Sequence, residues 1–69
     1  MKILVNGKIK EYENSLNITV IDLLRDLNLN PDIIIVEKNN KIINKEIFLT
    51  ELIKDDDKIE LIRFMGGGK

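Results

Sequence analysis

Two short runs that each contain apolar side chains open the chain and flank a turn. They occupy residues 2–6 and 8–12, on either side of Asn6 and Gly7. Asn-Gly is the dipeptide best suited to a two-residue type I′ turn, because both positions of that turn need a positive φ. The pattern therefore predicts a β-hairpin in which residue 5 pairs with residue 8 and residue 4 with residue 9. Paired residues share a face of the sheet, so one face takes Ile3, Val5 and Tyr12, and the other takes Leu4 and Ile9.

One amphipathic helix is predicted after the hairpin. Thr19 and Asp22 have the spacing of a capping box, in which each residue satisfies the backbone N–H of the other. Apolar residues then recur at helical spacing, while the charged residues fall on the opposite side. The apolar stripe consists of Val20, Leu23, Leu24 and Leu27. We expect Asn28, Asn30 and Pro31 to end the helix, since the residue before a proline is disfavoured in helical conformation.

The second half of the chain predicts a strand pair, a short helix and a last strand. Residues 33–36 form a β-branched run, and Asn39-Asn40 marks a turn into a short strand at 41–43. The apolar stretch within 47–53 predicts one turn of helix under the sheet. Residues 55–57 form a polar turn, and the last strand covers residues 58–65. Its apolar residues fall on both faces, which is typical of a central strand covered in part on each side.

This order of elements predicts an α+β fold with one helix on one face of a mixed sheet of about five strands. We expect residues 1–65 to form the domain and residues 66–69 to form a flexible glycine-rich tail. Three glycines, Gly66 to Gly68, precede Lys69. Glycine has no Cβ to pack and loses much conformational entropy when it is ordered, so these residues do not stabilise the fold.

Composition restricts the chemistry of a chain of 69 residues to very few groups. Cysteine and histidine are both absent, which excludes disulfides, thiolate or imidazole metal sites and cysteine nucleophiles. We therefore expect no bound metal and no self-contained enzyme. A terminal glycine carboxylate on a narrow arm is the one distinctive reactive group left.

Charge and hydropathy narrow the range of partners. Eleven basic and twelve acidic residues give a net charge of −1. Without excess positive charge, neither nucleic acid nor a membrane surface is an expected partner. No apolar run approaches the roughly 20 residues that span a bilayer, and the first residues lack a signal-peptide pattern, so we expect a cytoplasmic protein. We also expect the free protein to be a monomer.

With these motifs in order, the whole chain resembles the sulfur carrier family of thiamine biosynthesis, ThiS. The molybdopterin-synthase small subunit, MoaD, and ubiquitin are more distantly similar. The matching segments are Ile-Leu-Val-Asn-Gly at 3–7, Thr-Val-Ile-Asp-Leu-Leu at 19–24, Asp-Asp-Lys-Ile-Glu at 56–60 and the terminal glycines. The resemblance implies a ubiquitin-like β-grasp fold, in which the first and last strands are parallel neighbours. The length favours the thiamine branch over the longer molybdopterin branch.

The resemblance also implies a cycle of chemistry at the tail. An ATP-dependent adenylating enzyme activates the terminal glycine carboxylate, a persulfide protein supplies sulfur, and the resulting thiocarboxylate delivers it to thiazole synthase. ATP is then used by the partner, and the carrier itself binds no cofactor. The expected working end is Gly68, with Gly67 beside it. Lys69 departs from the family pattern: either a peptidase removes it, or it is not native to the protein, or the chain is inactive as written.

The sheet face away from the helix is the expected partner-binding surface. Its apolar residues on the first hairpin and the last strand are Leu4, Ile9, Ile62 and Phe64, and exposed apolar clusters often mark interaction sites. Three alternatives to the thiamine sulfur carrier stay open at this stage. They are a molybdopterin-type sulfur carrier, a ubiquitin-like protein modifier joined through Gly68, and a β-grasp interaction module whose tail is inert.

Overall fold

The computed structural model describes residues 1–13 and 17–64. Strands within these ranges are β1 (Lys2–Val5), β2 (Lys8–Glu11), β3 (Ile18–Thr19), β4 (Ile34–Lys38), β5 (Lys41–Ile43), β6 (Leu52–Ile53) and β7 (Lys58–Arg63). One α-helix, α1 (Val20–Asp26), and two 3₁₀ turns, Pro31–Ile33 and Lys45–Ile47, complete the elements. The predicted tail, 66–69, and Met65 lie outside the described residues, so the division into domain and tail stays a prediction.

The main sheet has five strands within the described residues, in the order β2-β1-β7-β4-β5. β1 and β7 are parallel, and the other pairs are antiparallel. The last strand is therefore central and lies beside the first, as predicted. The observed β7 ends at Arg63, whereas the predicted strand extended to residue 65.

Both hairpins turn on asparagine in left-handed conformation. Asn6 and Gly7 have φ values of 52° and 82°, and Asn39 and Asn40 have values of 53° and 70°. Asparagine tolerates this conformation better than most residues do. The first hairpin has the predicted register, with Val5 opposite Lys8 and Leu4 opposite Ile9.

Helix α1 begins as predicted and ends for a different reason. Thr19 and Asp22 form the capping box, with the Asp22 carboxylate accepting from the Thr19 N–H at 3.0 Å. At the other end Asn28 takes a φ of 58°, and the N–H of Leu29 donates to the Leu24 carbonyl at 2.9 Å. This is a Schellman motif with asparagine in the left-handed position. Of the three residues that we expected to end the helix, Asn28 does so, whereas Asn30 caps and Pro31 begins the 3₁₀ turn that leads into β4.

The prediction of a short helix within residues 47–53 is wrong in its second half. The 3₁₀ turn Lys45–Ile47 and its cap Phe48 make the single turn, and Phe48 is buried. Leu52–Ile53 is a strand, β6, that pairs with β3 through Ile18 opposite Ile53. This two-residue ladder joins segments that are far apart in the chain, so no local periodicity indicates it.

The core lies between α1 and the sheet. Val20, Leu23 and Leu24 of the predicted stripe are fully buried, and Leu27 packs against them half-buried. The sheet contributes the inward-facing residues of its central strands, and the loops add Phe48: the fully or nearly fully buried members are Ile3, Ile34, Val36, Phe48 and Ile59.

A polar network ties the end of α1 to the first hairpin. The Tyr12 hydroxyl donates to the Asp26 carboxylate at 2.8 Å, and the Lys10 ammonium lies 3.3 Å from the same oxygen. The hydrogen bond from Tyr12, followed by that from Lys10, lowers the pKa of Asp26. Burial and the same carboxylate raise the pKa of Tyr12.

Within the part of the chain that the structure describes, no helix is long and apolar enough to cross a membrane.

Candidate functional site: the end of the central strand

The chain reaches its C-terminal segment from the middle of the sheet. β7 pairs with β4 along most of its length, from Ile59 to Arg63. Beyond the strand, the Phe64 N–H still donates to the Ile33 carbonyl at 2.6 Å. The segment that carries Gly67 and Gly68 therefore starts from a position held by backbone hydrogen bonds. Both glycines lie outside the described residues, so their predicted role stays a prediction.

Asn6 holds β7 on its other side. The last residue of β1, Val5, is opposite Ile59 of β7, so no residue of β1 lies opposite Leu61. The Asn6 side chain makes hydrogen bonds to Leu61 instead. Its amide Nδ2 donates to the Leu61 carbonyl at 3.2 Å, and its Oδ1 accepts from the Leu61 N–H at 2.7 Å. A carboxamide has the donor and the acceptor that the backbone of another strand residue would supply.

We predict that Asn6→Gly lowers the free energy of unfolding by about 1–3 kcal/mol, because two hydrogen bonds worth about 0.5–1.5 kcal/mol each are lost. Glycine keeps the positive φ, so the turn itself stays unstrained. Asn40→Gly is the matched control: Asn40 also has a positive φ, and its side chain makes no hydrogen bond within residues 1–13 and 17–64. Urea denaturation gives the stabilities, and amide exchange should accelerate at Leu61. Equal losses of stability in the two variants would contradict the role of the Asn6 side chain in holding β7.

The four predicted partner-binding residues lie on the sheet face away from α1. Their side chains are exposed to different degrees: Leu4 38%, Ile9 67%, Ile62 45% and Phe64 57%. The structure separates them into two groups. Leu4 is opposite Ile9 on β2 and opposite Lys58 at the start of β7. Ile62 lies four residues further along β7, which is about 13 Å at ~3.3 Å per residue.

Sequence reasoning missed two features of this face. Ile35 of β4 is opposite Ile62. Phe64 follows Ile62 by two residues, just past the end of β7, and side-chain alternation places it on the same face, so we group it with these two. Residues 33–36 are all apolar, so the sequence alone did not indicate that Ile35 faces away from the buried Ile34 and Val36. Glu37 and Glu60, both half-buried, are also directly opposite each other on this face. Like charges in that position destabilise a sheet, so this pair does not serve the stability of the isolated domain.

The described residues supply little chemistry of their own. Neither cysteine nor histidine occurs anywhere in the sequence. Within residues 1–13 and 17–64, no group of acidic side chains is placed to hold a metal ion.

Comparison with known proteins identifies this arrangement. The model of the ThiS family matches residues 3–68. The chain belongs to the ThiS family. The sulfur carrier protein ThiS of Bacillus subtilis is 39% identical over 64 residues, which cover 93% of this chain and 96% of that protein.

Solved structures of ThiS have the same fold. The crystal structure of the thiamine biosynthesis protein ThiS from Geobacter metallireducens superposes with a TM-score of 0.85 at 33% identity, covering 99% of this chain and all of that one. This match confirms the predicted ubiquitin-like β-grasp fold with its mixed five-stranded sheet and one helix.

ThiS-like sequence also occurs inside a larger protein. A thiazole synthase of Paramagnetospirillum magneticum is 34% identical to 99% of this chain, which spans only 20% of that protein's length. A thiazole synthase of Magnetococcus marinus is 32% identical over the whole chain, which covers 21% of it. In these two relatives the ThiS-like segment and the sequence named thiazole synthase share one polypeptide.

Proposed function

We propose that this ThiS-family chain is a sulfur carrier of thiamine biosynthesis whose C-terminal glycine bears the sulfur. The observation that carries the proposal is the family match, which extends to Gly68, in a chain with no cysteine and no histidine. Such a chain offers neither a thiol that could hold the sulfur nor an imidazole base. The protein then acts as a substrate of other enzymes and is not itself an enzyme.

The proposed chemistry begins when a peptidase hydrolyses the Gly68–Lys69 peptide bond and frees the Gly68 carboxylate, which is then activated. A carboxylate is a poor electrophile, so a partner enzyme first joins it to AMP from ATP and releases pyrophosphate. A persulfide on a second protein then attacks the carbonyl carbon, a C–S bond forms, and AMP leaves with the former C–O bond electrons. A thiol then attacks the sulfur that belongs to the persulfide protein and forms a disulfide with it, and the thiocarboxylate leaves with the electrons of the S–S bond. The activating enzyme, the persulfide protein and ATP are all supplied from outside the carrier.

Thiazole synthase is the proposed acceptor of the sulfur. The two relatives in which a ThiS-like segment belongs to a thiazole synthase support this partner, because fused proteins commonly act together. Gly67, beside Gly68, keeps the arm narrow. From Met65 to Gly68 an extended chain reaches roughly 10 Å at ~3.3–3.6 Å per residue, enough to enter a confined active site.

The apolar group Ile35, Ile62 and Phe64 is the proposed docking surface for the activating enzyme. It lies at the base of the tail, whereas Leu4 and Ile9 lie further back on the same face. Glu37 and Glu60 beside the group favour a partner surface that combines apolar side chains with a cation.

We predict that Phe64→Asp raises the KM of the activating enzyme for the carrier about tenfold or more, with a smaller effect on kcat, because the face docks and does not react. Leu49→Asp is the matched control, since Leu49 is 66% exposed and lies outside the sheet. ATP–pyrophosphate exchange measures both constants. Ile9→Asp tests whether the interface extends to the second apolar group. If Phe64→Asp changes KM no more than Leu49→Asp does, this apolar group is not the docking surface.

A further inference from the structure

A cavity of about 460 Å³ lies on the other side of the sheet, facing the end of the helix. It is close to the point where the chain continues past Phe64, but it opens on the face opposite to Ile62. Its apolar lining comes from β1, the turn after α1, β4 and β7: Val5, Leu27, Leu29, Ile34 and Leu61. It is an open groove and not an enclosed pocket, with a volume comparable to that of ligand-binding clefts, about 300–1,000 Å³.

Two cations complete the lining, and no lining residue is acidic. Lys8 is opposite Val5, and Arg63 is opposite Ile34, so both lie on the helix side of the sheet. Within residues 1–13 and 17–64, neither side chain makes an ion pair or a hydrogen bond. The amide of Asn6, which also lines the cavity, is occupied by its two bonds to Leu61.

Three lysines of the described residues lie against carboxylates; of the cations that do not, Lys8 and Arg63 are the two that line this cavity. Lys10 is paired with Asp26, at 3.3 Å, and Lys38 with Glu51, at 2.6 Å. Lys45 also contacts a carboxylate, that of Asp32. The cations beside the cavity therefore stand next to an apolar surface without a counter-charge among the described residues.

This combination defines the chemistry of an occupant. The apolar surface favours an aliphatic or aromatic side chain, and the flanking cations favour carboxylates. The attraction between a cation and a carboxylate strengthens as water is excluded. A nucleic acid would need many phosphate contacts, which two cations and a net charge of −1 do not supply. An acidic peptide segment with an apolar residue at its centre meets both requirements.

We propose that this cavity is a second docking site, which takes a partner segment whose central apolar side chain is flanked by Asp or Glu. This proposal does not rest on sulfur transfer, because the residues that line the cavity are the same whatever the function of the protein. It lies on the opposite face of β7 from Ile62 and Phe64, so a partner on either face leaves the other face open.

Selection of random peptides displayed on phage, with the full chain as target, tests the site directly. We expect the selected peptides to place an apolar residue between acidic ones. Their affinity, measured by fluorescence polarisation, should fall at least about tenfold in the double variant Lys8→Glu with Arg63→Glu. The double variant Lys41→Glu with Lys54→Glu has the same net charge, alters exposed residues outside the cavity, and should bind as the unchanged chain does.

Several outcomes would overturn the proposal. Selected peptides without acidic residues, or equal losses in the two double variants at matched thermal stability, would show that the cavity recognises no acidic segment. If sedimentation shows that the unchanged chain is a dimer and that only the Lys8/Arg63 double variant is a monomer, the surface binds a second copy of the chain. Much tighter peptide binding by a chain shortened to end at Phe64 would assign it to the chain's own last residues.

Discussion

The form of the chain that ends at Gly68 should support ATP–pyrophosphate exchange by its activating enzyme, and the form that ends at Lys69 should give at least about a hundredfold less. Both forms have a terminal carboxylate. In the longer form it is displaced by about 3.3–3.6 Å, the reach of one residue. It also belongs to a residue with a long cationic side chain, which a site shaped for glycine excludes.

A third form separates the two causes. Lys69→Gly keeps the longer chain and removes the side chain. If the position of the carboxylate decides, this form should be as inactive as the one that ends at Lys69. If the side chain decides, it should recover exchange. Equal exchange by the forms ending at Gly68 and Lys69 would contradict the requirement for removal of Lys69.

Leu24→Ala should lower the free energy of unfolding by about 2–5 kcal/mol, the usual cost of removing a fully buried leucine side chain. Leu24 is 0% exposed at the centre of the stripe that α1 turns toward the sheet. A domain of this size has a total stability of roughly 3–10 kcal/mol. The substitution should therefore remove a large share of the total stability and lower the midpoint of thermal unfolding.

Leu49→Ala is the matched control for this loss. It removes the same atoms from a side chain that is 66% exposed, and a change of less than about 0.5 kcal/mol is expected there. Urea denaturation followed by circular dichroism measures both variants. Similar losses at the two positions would mean that the α1 stripe does not form the core described here.

Local signals in the sequence were sufficient for most of the fold. Asn6-Gly7 and Asn39-Asn40 place the two hairpins, because few residues tolerate positive φ. Thr19 and Asp22 start the helix through side-chain bonds that depend only on spacing. The two-sided apolar pattern of β7 indicates a central strand, since both of its faces are partly covered.

Features that depend on contacts between distant segments could not be predicted in the same way. The β3–β6 ladder is formed by only two residues on each side, Ile18–Thr19 and Leu52–Ile53, so its sequence signal is too short to recognise. The pairing of Ile35 with Ile62 requires the register of β4 against β7. Lys8 and Arg63 are far apart in the chain, and only the folded sheet brings them to one cavity.

The C-terminal chemistry was indicated by a different kind of signal. Cysteine and histidine are absent from the whole chain, and from that absence we predicted a glycine carboxylate as the reactive group. The proposed role of Gly68 rests on this composition and on the extent of the family match. The fold adds the rigid strand from which the arm begins.

Intact mass spectrometry of the protein purified from its own cells, grown without thiamine, tests the central claim most directly. The account predicts a chain that ends at Gly68, in part with the mass gain of one oxygen replaced by sulfur, and fragmentation should place that gain on the last residue. A chain that ends only at Lys69 and carries no added sulfur under these conditions would contradict it.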